Sequence, residues 1–341
     1  MTSRPAVLPP LIFTPLYRRY LWGGRRFSTS LGRQLPDGDD FAESWELVDH
    51  GDDQSVVSAG PHAGLPLGAL VQDHGADLLG RQAPQPGFPL LFKFLDANRD
   101  LSVQVHPDDA RAARLARPDR GKTEAWYVVD AEPGAKIYAG LAPGVDLPIL
   151  AEALRHGRCD EVLHAFEARP GDCVFIPAGT VHAIGAGVLV AEIQQASDVT
   201  YRLHDWGRVG ADGRPRALHI EAGLEAVTRF GPVKPVRQPT PAPRAAPRGD
   251  SAPPHGTRRL VTSEYFVFDE VAADGAWSCG GDDSCHFLAI LGGRWSCESE
   301  CGFGPLERGR CVLLPASAGR RTFLTHSDDA SPARALHVAL P

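Results

Sequence analysis

Four polar side chains with metal-binding atoms occur in three short segments of the chain. In "LSVQVHPDD", Gln104 and His106 are two residues apart, so they project from the same face of a strand. "GKTEAWYVVD" begins a further strand with Glu124, and "GDCVFIPAGTVHAIG" places His182 just after a turn. If they converge, one amide oxygen, two imidazoles and one carboxylate would suit Zn²⁺ or a similar divalent ion and leave a position open to water or substrate. The alternative is that Gln104 and Glu124 only satisfy each other and the nearby backbone.

Short runs of apolar residues indicate the elements that must position these side chains. The chain has 36 glycines and 30 prolines, and between them lie runs such as "LLFKFL", "LSVQV", "AWYVVD", "AKIYAG", "CVFIP" and "VLVAEIQ". Their length, spacing and content of β-branched and aromatic residues predict an all-β sandwich or barrel. Two segments differ, because their apolar residues recur at helical spacing after acidic starts. They predict helices near 107–117 and 145–167.

The segment 231–257 is rich in proline and has few residues to bury. It predicts an extended connector between a unit at residues 1–230 and a smaller β unit at 258–341. In the smaller unit, "ERGRCVLLPASAG" repeats the order of glycine, five residues and proline found in "ARPGDCVFIPAGTVH", but without the histidine. Our hypothesis is an ancient duplication in which only the first copy kept its chemistry. Two unrelated strand-turn-strand units are the alternative.

Composition excludes several classes of function. The 341 residues have a formal net charge of −7, so the molecule as a whole does not attract nucleic acid or an anionic membrane. No run approaches the ~20 apolar residues of a membrane span, and prolines and arginines interrupt the N-terminal segment where a signal peptide would be apolar. The seven cysteines are an odd number and indicate no disulfide framework. These features predict a cytoplasmic protein, in which Cys297 and Cys301 are either thiols or half of a zinc site.

The motifs together resemble a known family. Gly171, Pro177, Gly179 and His182 match the histidine motif of mononuclear cupins. In order and spacing, "FPLLFKFLDA", "LSVQVHPDD", "GKTEAWYVVD", "PAGTVHAIG" and "ASDVTYRLHDWGR" resemble the type I mannose-6-phosphate isomerases, particularly the short bacterial form. The likeness is strong over residues 12–230 and also includes "YLWGG" and "ESWEL". It implies a cupin (jelly-roll) barrel with a helical insert, followed by a smaller, degenerate cupin-like domain.

The resemblance also implies roles for individual residues. In that family one zinc ion per chain is held by residues that correspond here to Gln104, His106, Glu124 and His182. The family's catalytic arginine falls on Arg202. Residues that hold the substrate's phosphate correspond to Ser102 and to a basic residue after Arg202, for which Arg216 is the first choice and Arg208 and Arg214 remain open.

The isomerase reaction that the resemblance implies requires a base. Moving a proton between carbons 1 and 2 of an open-chain sugar passes through an enediol, whose negative charge a zinc ion and an arginine can stabilise. Lys122 is the first candidate for the base, because a lysine near a divalent cation in a desolvated pocket can lose its proton near neutral pH. His50, His204 and a zinc-bound water are the competitors. A solvated charge or a simple phosphate contact is the alternative role for Lys122.

Three further residues are candidates for binding the substrate. Lysine is scarce in the chain, and Lys93 lies in a matched motif, as Lys122 does. Glu43 and Trp45 in "ESWEL" could line the sugar pocket, although a tryptophan in a strand is more often part of the core.

The sequence therefore predicts a zinc-dependent isomerase that interconverts mannose 6-phosphate and fructose 6-phosphate. Its predicted partner is a small phosphosugar, with no nucleic acid and no membrane. One rival is another metal-dependent cupin enzyme, acting on a different sugar or as a dioxygenase. Another is a non-catalytic cupin that binds a sugar or regulates.

Overall fold

A computed structural model describes residues 7–209, 213–237, 256–298, 301–327 and 332–341. The strands are β1 Phe13–Thr14, β2 Leu16–Gly24, β3 Phe41–Leu47, β4 Asp49–His50, β5 Asp53–Gln54, β6 Val56–Val57, β7 Leu90–Ala97, β8 Val103–Val105, β9 Glu124–Ala131, β10 Lys136–Leu141, β11 Leu163–Glu167, β12 Cys173–Ile176, β13 His182–Ile184, β14 Val188–Gln195, β15 Tyr201–His204, β16 Thr257–Thr262, β17 Val267–Ala273, β18 Gly275–Cys279, β19 His286–Gly292, β20 Arg294–Cys297, β21 Cys311–Leu314, β22 Arg321–His326 and β23 Ala333–Ala339. The prediction of a β-rich fold is confirmed.

Helices are few and short. They are α1 Arg26–Thr29, α2 Leu67–Leu79, α3 Asp109–Ala112, α4 Leu147–Arg155 and α5 Ile220–Ala226, with 3-10 helices at Gly80–Gln82, Cys159–Glu161 and Ala316–Ala318. The longest, α2, was not predicted. It buries five aliphatic side chains against the core, although the sequence gives it no capping residue.

The predicted helix at 145–167 is too long. Its first part is correct, because the Asp146 side chain accepts a hydrogen bond from the Ile149 amide and starts α4 there. Gly157, at φ +66°, follows the end of that helix. Residues 163–167 form β11, which pairs with β10. The predicted helix at 107–117 is likewise reduced to the four residues of α3.

The first part of the chain forms two antiparallel sheets packed face to face. One has six strands in the order β12-β9-β14-β7-β3-β2, and the other has five in the order β11-β10-β13-β8-β15. Between them, Leu95 and Trp126 of the six-stranded sheet pack in one cluster with Ile137 and Ile184 of the five-stranded sheet.

The six-stranded sheet is buried on both faces. Phe92 and Phe94 alternate with the inward-facing residues of β7 and point away from the first sandwich. The Phe92 ring lies 4.8 Å from the ring of Phe287 in the C-terminal part of the chain. Full burial of one such side chain stabilises the fold by about 1.5–3 kcal/mol. This double burial explains why every residue of β7 and β14 is buried and most of them are apolar.

The C-terminal part repeats this arrangement on a smaller scale. It has a five-stranded sheet in the order β16-β17-β23-β19-β21 and a three-stranded sheet in the order β18-β22-β20. Read from β21, this order matches the first six-stranded sheet read from β12, with β19 at the place of β9 and β23 at the place of β14. The two echoing segments lie on β12 and β21, an observation that supports the hypothesis of a duplication.

The structure also bears on the predicted connector and on the cysteine pair. Residues 231–237 of the predicted connector lie along the first sandwich, where Val236 and Cys173 exchange backbone hydrogen bonds of 2.7 and 3.0 Å; residues 238–255 lie outside the described residues. Cys297 and Cys301 form a disulfide, which corrects the expectation of thiols or half a zinc site. No helix among the described residues is long and apolar enough to span a membrane.

Candidate active site and metal centre

Three predicted metal ligands converge inside the first sandwich. His106 Nε2 lies 3.5 Å from Glu124 Oε2, and His182 Nε2 lies 3.3 Å from Glu124 Oε1. All three side chains are buried. Within the described part of the chain, the two Nε2 atoms and Glu124 Oε1 have no hydrogen-bond partner. Buried polar atoms without partners are costly, so this convergence of lone pairs fits a bound cation.

The backbone orients both imidazoles toward this point. The Nδ1 of His106 lies 2.9 Å from the carbonyl oxygen of Val199, and the Nδ1 of His182 lies 2.9 Å from that of Thr180. These contacts leave each Nε2 free to act as a ligand. Burial lowers the pKa of His182 to about 4, and burial followed by the nearby charge of Lys122 lowers the pKa of His106. Both rings are therefore neutral at pH 7, as metal coordination requires.

Gln104 lies between two other predicted site residues. On β8 it is paired with His182 of β13 on one side and with Arg202 of β15 on the other. The pairing of three neighbouring strands thus brings together residues separated by up to 98 positions in the sequence. Arg202 Nη1 donates to the carbonyl of Ala217 at 3.0 Å, while its buried Nε has no partner in the described residues.

A cavity of ≈ 340 Å³ opens above this group. Its lining includes seven of the predicted site residues, Glu43, Lys93, Ser102, Gln104, Lys122, Arg202 and Arg216. Trp126 and Glu192, which were not predicted, also line it. The structure thus brings most of the predicted catalytic and substrate-binding residues to one space beside the candidate ligands.

Two buried lysines and two carboxylates, Glu43 and Glu192, line the cavity, and Glu124 lies next to one of the lysines. Lys122 Nζ lies 3.0 Å from Glu124 Oε2 and 3.8 Å from Glu192 Oε1. Lys93 Nζ lies 3.3 Å from both Glu43 and Glu192. Burial opposes the charge of Lys93, but these carboxylates outweigh it and raise the pKa of Lys93. Burial, followed by the charge of Glu192, raises the pKa of Glu124.

Arg216 is the one of the three candidate phosphate-binding arginines that lines this cavity in the described structure. Its Nε donates to Asp205 Oδ2 at 2.8 Å, and Arg208 contacts the other oxygen of the same carboxylate. These hydrogen bonds lower the pKa of Asp205 despite its partial burial. Asp205 therefore holds the guanidinium of Arg216 at the cavity wall.

Several candidates lie elsewhere. Trp45 is not among the described residues that line the cavity; it is buried beside Val48 and Leu91, and its Nε1 donates to Glu43 at 2.6 Å. The structure thus corrects its assignment from the pocket to the core. His50 pairs with Asp119, and His204 packs against Trp206, both away from the cavity lining.

Glu192 is a buried cavity residue that was not predicted from the sequence. Its Oε2 accepts a hydrogen bond of 2.9 Å from Trp126 Nε1, and its Oε1 faces both buried lysines. The available signal was a single acidic residue in the middle of "VLVAEIQQ", because a charge in a strand buried on both faces requires a partner. Asp198 and Thr200, which also line the cavity, lie in a loop that carried no such signal.

Comparisons with known proteins agree with this geometry. Residues 11–130 match the family model described as "Phosphomannose isomerase type I, catalytic domain". The chain is 33% identical over 310 residues to mannose-6-phosphate isomerase ManA of Bacillus subtilis, a match that spans 91% of this chain and 94% of that protein. It belongs to the mannose-6-phosphate isomerase family. The predicted resemblance is thereby confirmed.

Other family members match the chain over similar lengths. Mannose-6-phosphate isomerase of Streptococcus mutans is 39% identical over 306 residues, which cover 90% of this chain and 92% of that protein. The crystal structure of the mannose 6-phosphate isomerase from B. subtilis superposes with a TM-score of 0.82 at 28% identity and covers 97% of this chain and 99% of that chain.

Proposed function

We propose that the chain is a zinc-dependent aldose-ketose isomerase that interconverts mannose 6-phosphate and fructose 6-phosphate through an enediol. One observation carries the proposal: the buried cluster of His106, Glu124 and His182 lies beside a cavity that is lined by Arg202 and by Lys122, whose Nζ is 3.0 Å from Glu124 Oε2. The names of the related proteins support the same substrate pair.

The donor set of the cluster fits one divalent ion. His106, His182 and Glu124 would hold it, with Gln104 as the fourth protein ligand, and imidazole nitrogens with carboxylate and amide oxygens suit Zn²⁺. When bound, such an ion supplies Lewis-acid polarisation of the sugar carbonyl.

Lys122 is the proposed base. Its Nζ is buried beside the candidate ligand Glu124 and lines the cavity. We assign it removal of the proton from carbon 2 of the open-chain aldose and return of that proton to carbon 1, while the hydroxyl proton on oxygen 2 passes to oxygen 1. Carbon 1 is reduced while carbon 2 is oxidised within the same molecule, so the reaction needs no redox cofactor.

Arg202 is proposed to stabilise the enediol. Its Nε is a buried donor without a partner in the described residues, and Nη1 is fixed on a backbone carbonyl. A guanidinium cannot lose its proton in the pH range of catalysis, so it presents a permanent charge to the developing oxyanion. Preorganised donors of this kind lower the barrier because they need no reorganisation during the reaction.

The phosphate is proposed to bind at Ser102 and Arg216. Both residues line the cavity, and Asp205 fixes the guanidinium of Arg216. Lys93 and Glu43 pair with each other at the cavity floor, where they would position the sugar hydroxyls.

The fold assignment that accompanies this proposal is a cupin barrel in residues 1–230, a connector at 231–257 and a second β unit at 258–341. A cytoplasmic location remains a prediction of the sequence.

A coupled assay for fructose 6-phosphate formed from mannose 6-phosphate tests the function. Protein stripped with a chelator is assayed before and after Zn²⁺ is restored. We expect activity to disappear on stripping and to return with the ion. Absence of turnover with the ion demonstrably bound would refute the substrate assignment, and other sugars and O₂-dependent chemistry would then be assayed on the same preparation. The non-catalytic alternative makes a different prediction for Arg202→Ala. If this variant still bound the sugar and kept the biological effect of the wild-type protein, that alternative would be favoured.

A further inference from the structure

A second cluster of metal-binding side chains lies inside the C-terminal sandwich. One ligand atom each of Cys279, His286 and His337 lies within 4.8 Å of those of the other two, and all three are buried. His286 Nδ1 lies 2.8 Å from His337 Nε2. The cluster is separate from the cavity described above and has no role in the proposed isomerisation.

A carboxylate orients each of the two imidazoles. His337 Nδ1 lies 3.1 Å from Asp269 Oδ2, and His286 Nε2 lies 2.8 Å from Asp282 Oδ1. Arg259 pairs with the other oxygen of Asp269. Carboxylates commonly hold metal-bound histidines in this way, because they fix the tautomer that leaves the second nitrogen free to act as a ligand.

Counting protons shows why a cation belongs between the rings. The row of Asp269, His337, His286 and Asp282 makes three close contacts, and two neutral imidazoles supply only two protons for them. If each ring donates to its carboxylate, two lone pairs face each other at 2.8 Å. Either a third proton or a metal ion must lie there.

The cluster also occupies the same place in its sandwich as the first site does. His286 begins β19 and is paired with Leu314, the residue before the proline of the second echoing segment. Glu124 begins β9 and is paired with Ile176, the residue before the proline of the first segment. A candidate ligand of the first site and a member of the second cluster thus correspond by register.

The strand register also relates β23 of the second sandwich to β14 of the first. His337 on β23 is paired with Leu288, two residues after His286, as Glu192 on β14 is paired with Trp126, two residues after Glu124. Cys279 lies on β18, which pairs with β22 as β8 pairs with β13. The second copy therefore lacks the histidine of the motif but carries other ligand types at the equivalent strands.

We propose that Cys279, His286 and His337 form a second divalent-metal site, whose ligand chemistry suits Zn²⁺ and whose role is to hold β18, β19 and β23 together. Two imidazoles and one thiolate are typical of zinc coordination in proteins. The burial of the cluster points to a structural ion.

Binding of the divalent ion would be coupled to the release of protons from the cluster. The ion takes the position of the shared proton between the rings and displaces the proton of the Cys279 thiol, so two protons leave for each divalent ion. The net charge of the cluster does not change. With metal-nitrogen bonds of about 2.0–2.1 Å in a tetrahedral site, the two ring nitrogens would lie about 3.3 Å apart. The imidazoles therefore move apart by only about half an ångström from their present 2.8 Å.

Cobalt replacement tests the second site independently of the first, because the first site has no sulfur ligand. The full chain is stripped of metal, kept reduced and titrated with Co²⁺, and the metal content is measured after dialysis. We expect two ions per chain and a thiolate-to-cobalt charge-transfer absorption. Cys279→Ser should lose this absorption and one ion while its isomerase activity is retained. Two control variants, Cys285→Ser and Cys297→Ser, should keep the thiolate absorption and both ions. The first of them changes a buried cysteine next to His286.

The first site supplies the complementary control. A His106→Ala/His182→Ala variant should retain the thiolate absorption and one ion, whether or not the isomerase assignment is correct. X-ray absorption on the wild-type zinc form, which needs no variant, should require a sulfur ligand. Absence of the thiolate absorption from the wild type, its persistence in Cys279→Ser, or a zinc shell that fits without sulfur would overturn the proposal.

Discussion

Glu192 Oε1 lies 3.3 Å from Lys93 Nζ at the point where β14 and β7 pair these two residues directly. Both side chains are almost completely buried, and Trp126 Nε1 donates to the second oxygen of Glu192. The charge of each residue is therefore maintained by the other, in a sheet that is apolar on its opposite face. This ion pair lines the cavity of the proposed active site.

Replacing Glu192 with glutamine keeps the shape of the side chain and removes its charge. In this variant Lys93 keeps only Glu43 as an ion-pair partner, and Lys122 keeps only Glu124. Breaking a buried ion pair costs about 3–5 kcal/mol, and we expect a loss near the lower limit because the other carboxylates remain. Denaturant unfolding measures it. Glu225→Gln, in an exposed ion pair with Arg111, should change stability by less than about 1 kcal/mol. Equal stability of the two variants would contradict this role for Glu192.

Removing one proposed ligand of the first site should remove its ion. His106→Ala and His182→Ala are each expected to bind one metal ion fewer per chain than the wild type and to lose at least about 10³-fold in kcat/KM, because polarisation of the carbonyl contributes several kcal/mol. Metal analysis and the coupled assay measure these effects. His156→Ala, at the exposed end of α4, is the matched control. If either ligand variant kept its full metal content and activity, the ion would have to bind elsewhere.

Arg202→Lys tests the proposed enediol contact. Lysine keeps the positive charge but cannot present the fixed fork of donors, so we expect kcat to fall by about 10²-fold. KM should change little, because the interaction strengthens mainly in the transition state. Steady-state kinetics separate the two parameters. Arg155→Lys on α4 provides an exposed arginine for comparison. A rise in KM with unchanged kcat would assign Arg202 to binding instead.

Arg216→Ala should produce the opposite pattern. A charged hydrogen bond to phosphate contributes about 1.5–3 kcal/mol, so we expect KM for mannose 6-phosphate to rise by about 10- to 100-fold. Because the phosphate is remote from the reacting carbons, kcat should be less affected. Turnover of unphosphorylated mannose should remain as in the wild type, which distinguishes a lost phosphate contact from general damage. Arg229→Ala, an exposed neighbour in sequence, is the control. Unchanged KM in Arg216→Ala would return the phosphate role to Arg208 or Arg214.

Much of the candidate site was predictable because its proposed ligands follow simple local rules. Alternation along β8 places Gln104 and His106 on one face, and the turn before β13 places His182 at a strand start. Glu192 was less accessible, since its role depends on two lysines that reach it from other strands. Local patterns assign a side chain to a face, but they do not specify which charges meet across a sheet.

The second cluster could not be inferred from spacing. Cys279 and His286 are close in sequence, but His337 lies 51 positions beyond His286 and reaches it only because β23 pairs with β19. The helix predicted over 145–167 failed for a related reason. Its last residues, 163–167, form a strand because they pair with β10. In both cases long-range strand pairing determines the result.

Tyr127→Phe tests the contact between the two β units. Tyr127 Oη donates to Glu270 Oε1 at 2.5 Å, and Arg258 binds the other oxygen of that carboxylate at 2.8 Å. Removing the hydroxyl leaves the ring in the core and one buried oxygen without its donor, which costs about 1–3 kcal/mol. We expect this loss in denaturant unfolding, with kcat/KM at 25 °C unchanged because the ring faces away from the cavity. Tyr138→Phe is the matched control, since its hydroxyl makes no hydrogen bond within the described residues, and it should unfold as the wild type does. If Tyr127→Phe were as stable as this control, the two units would be held together by apolar contacts such as those around Phe287, and the polar bridge would contribute nothing.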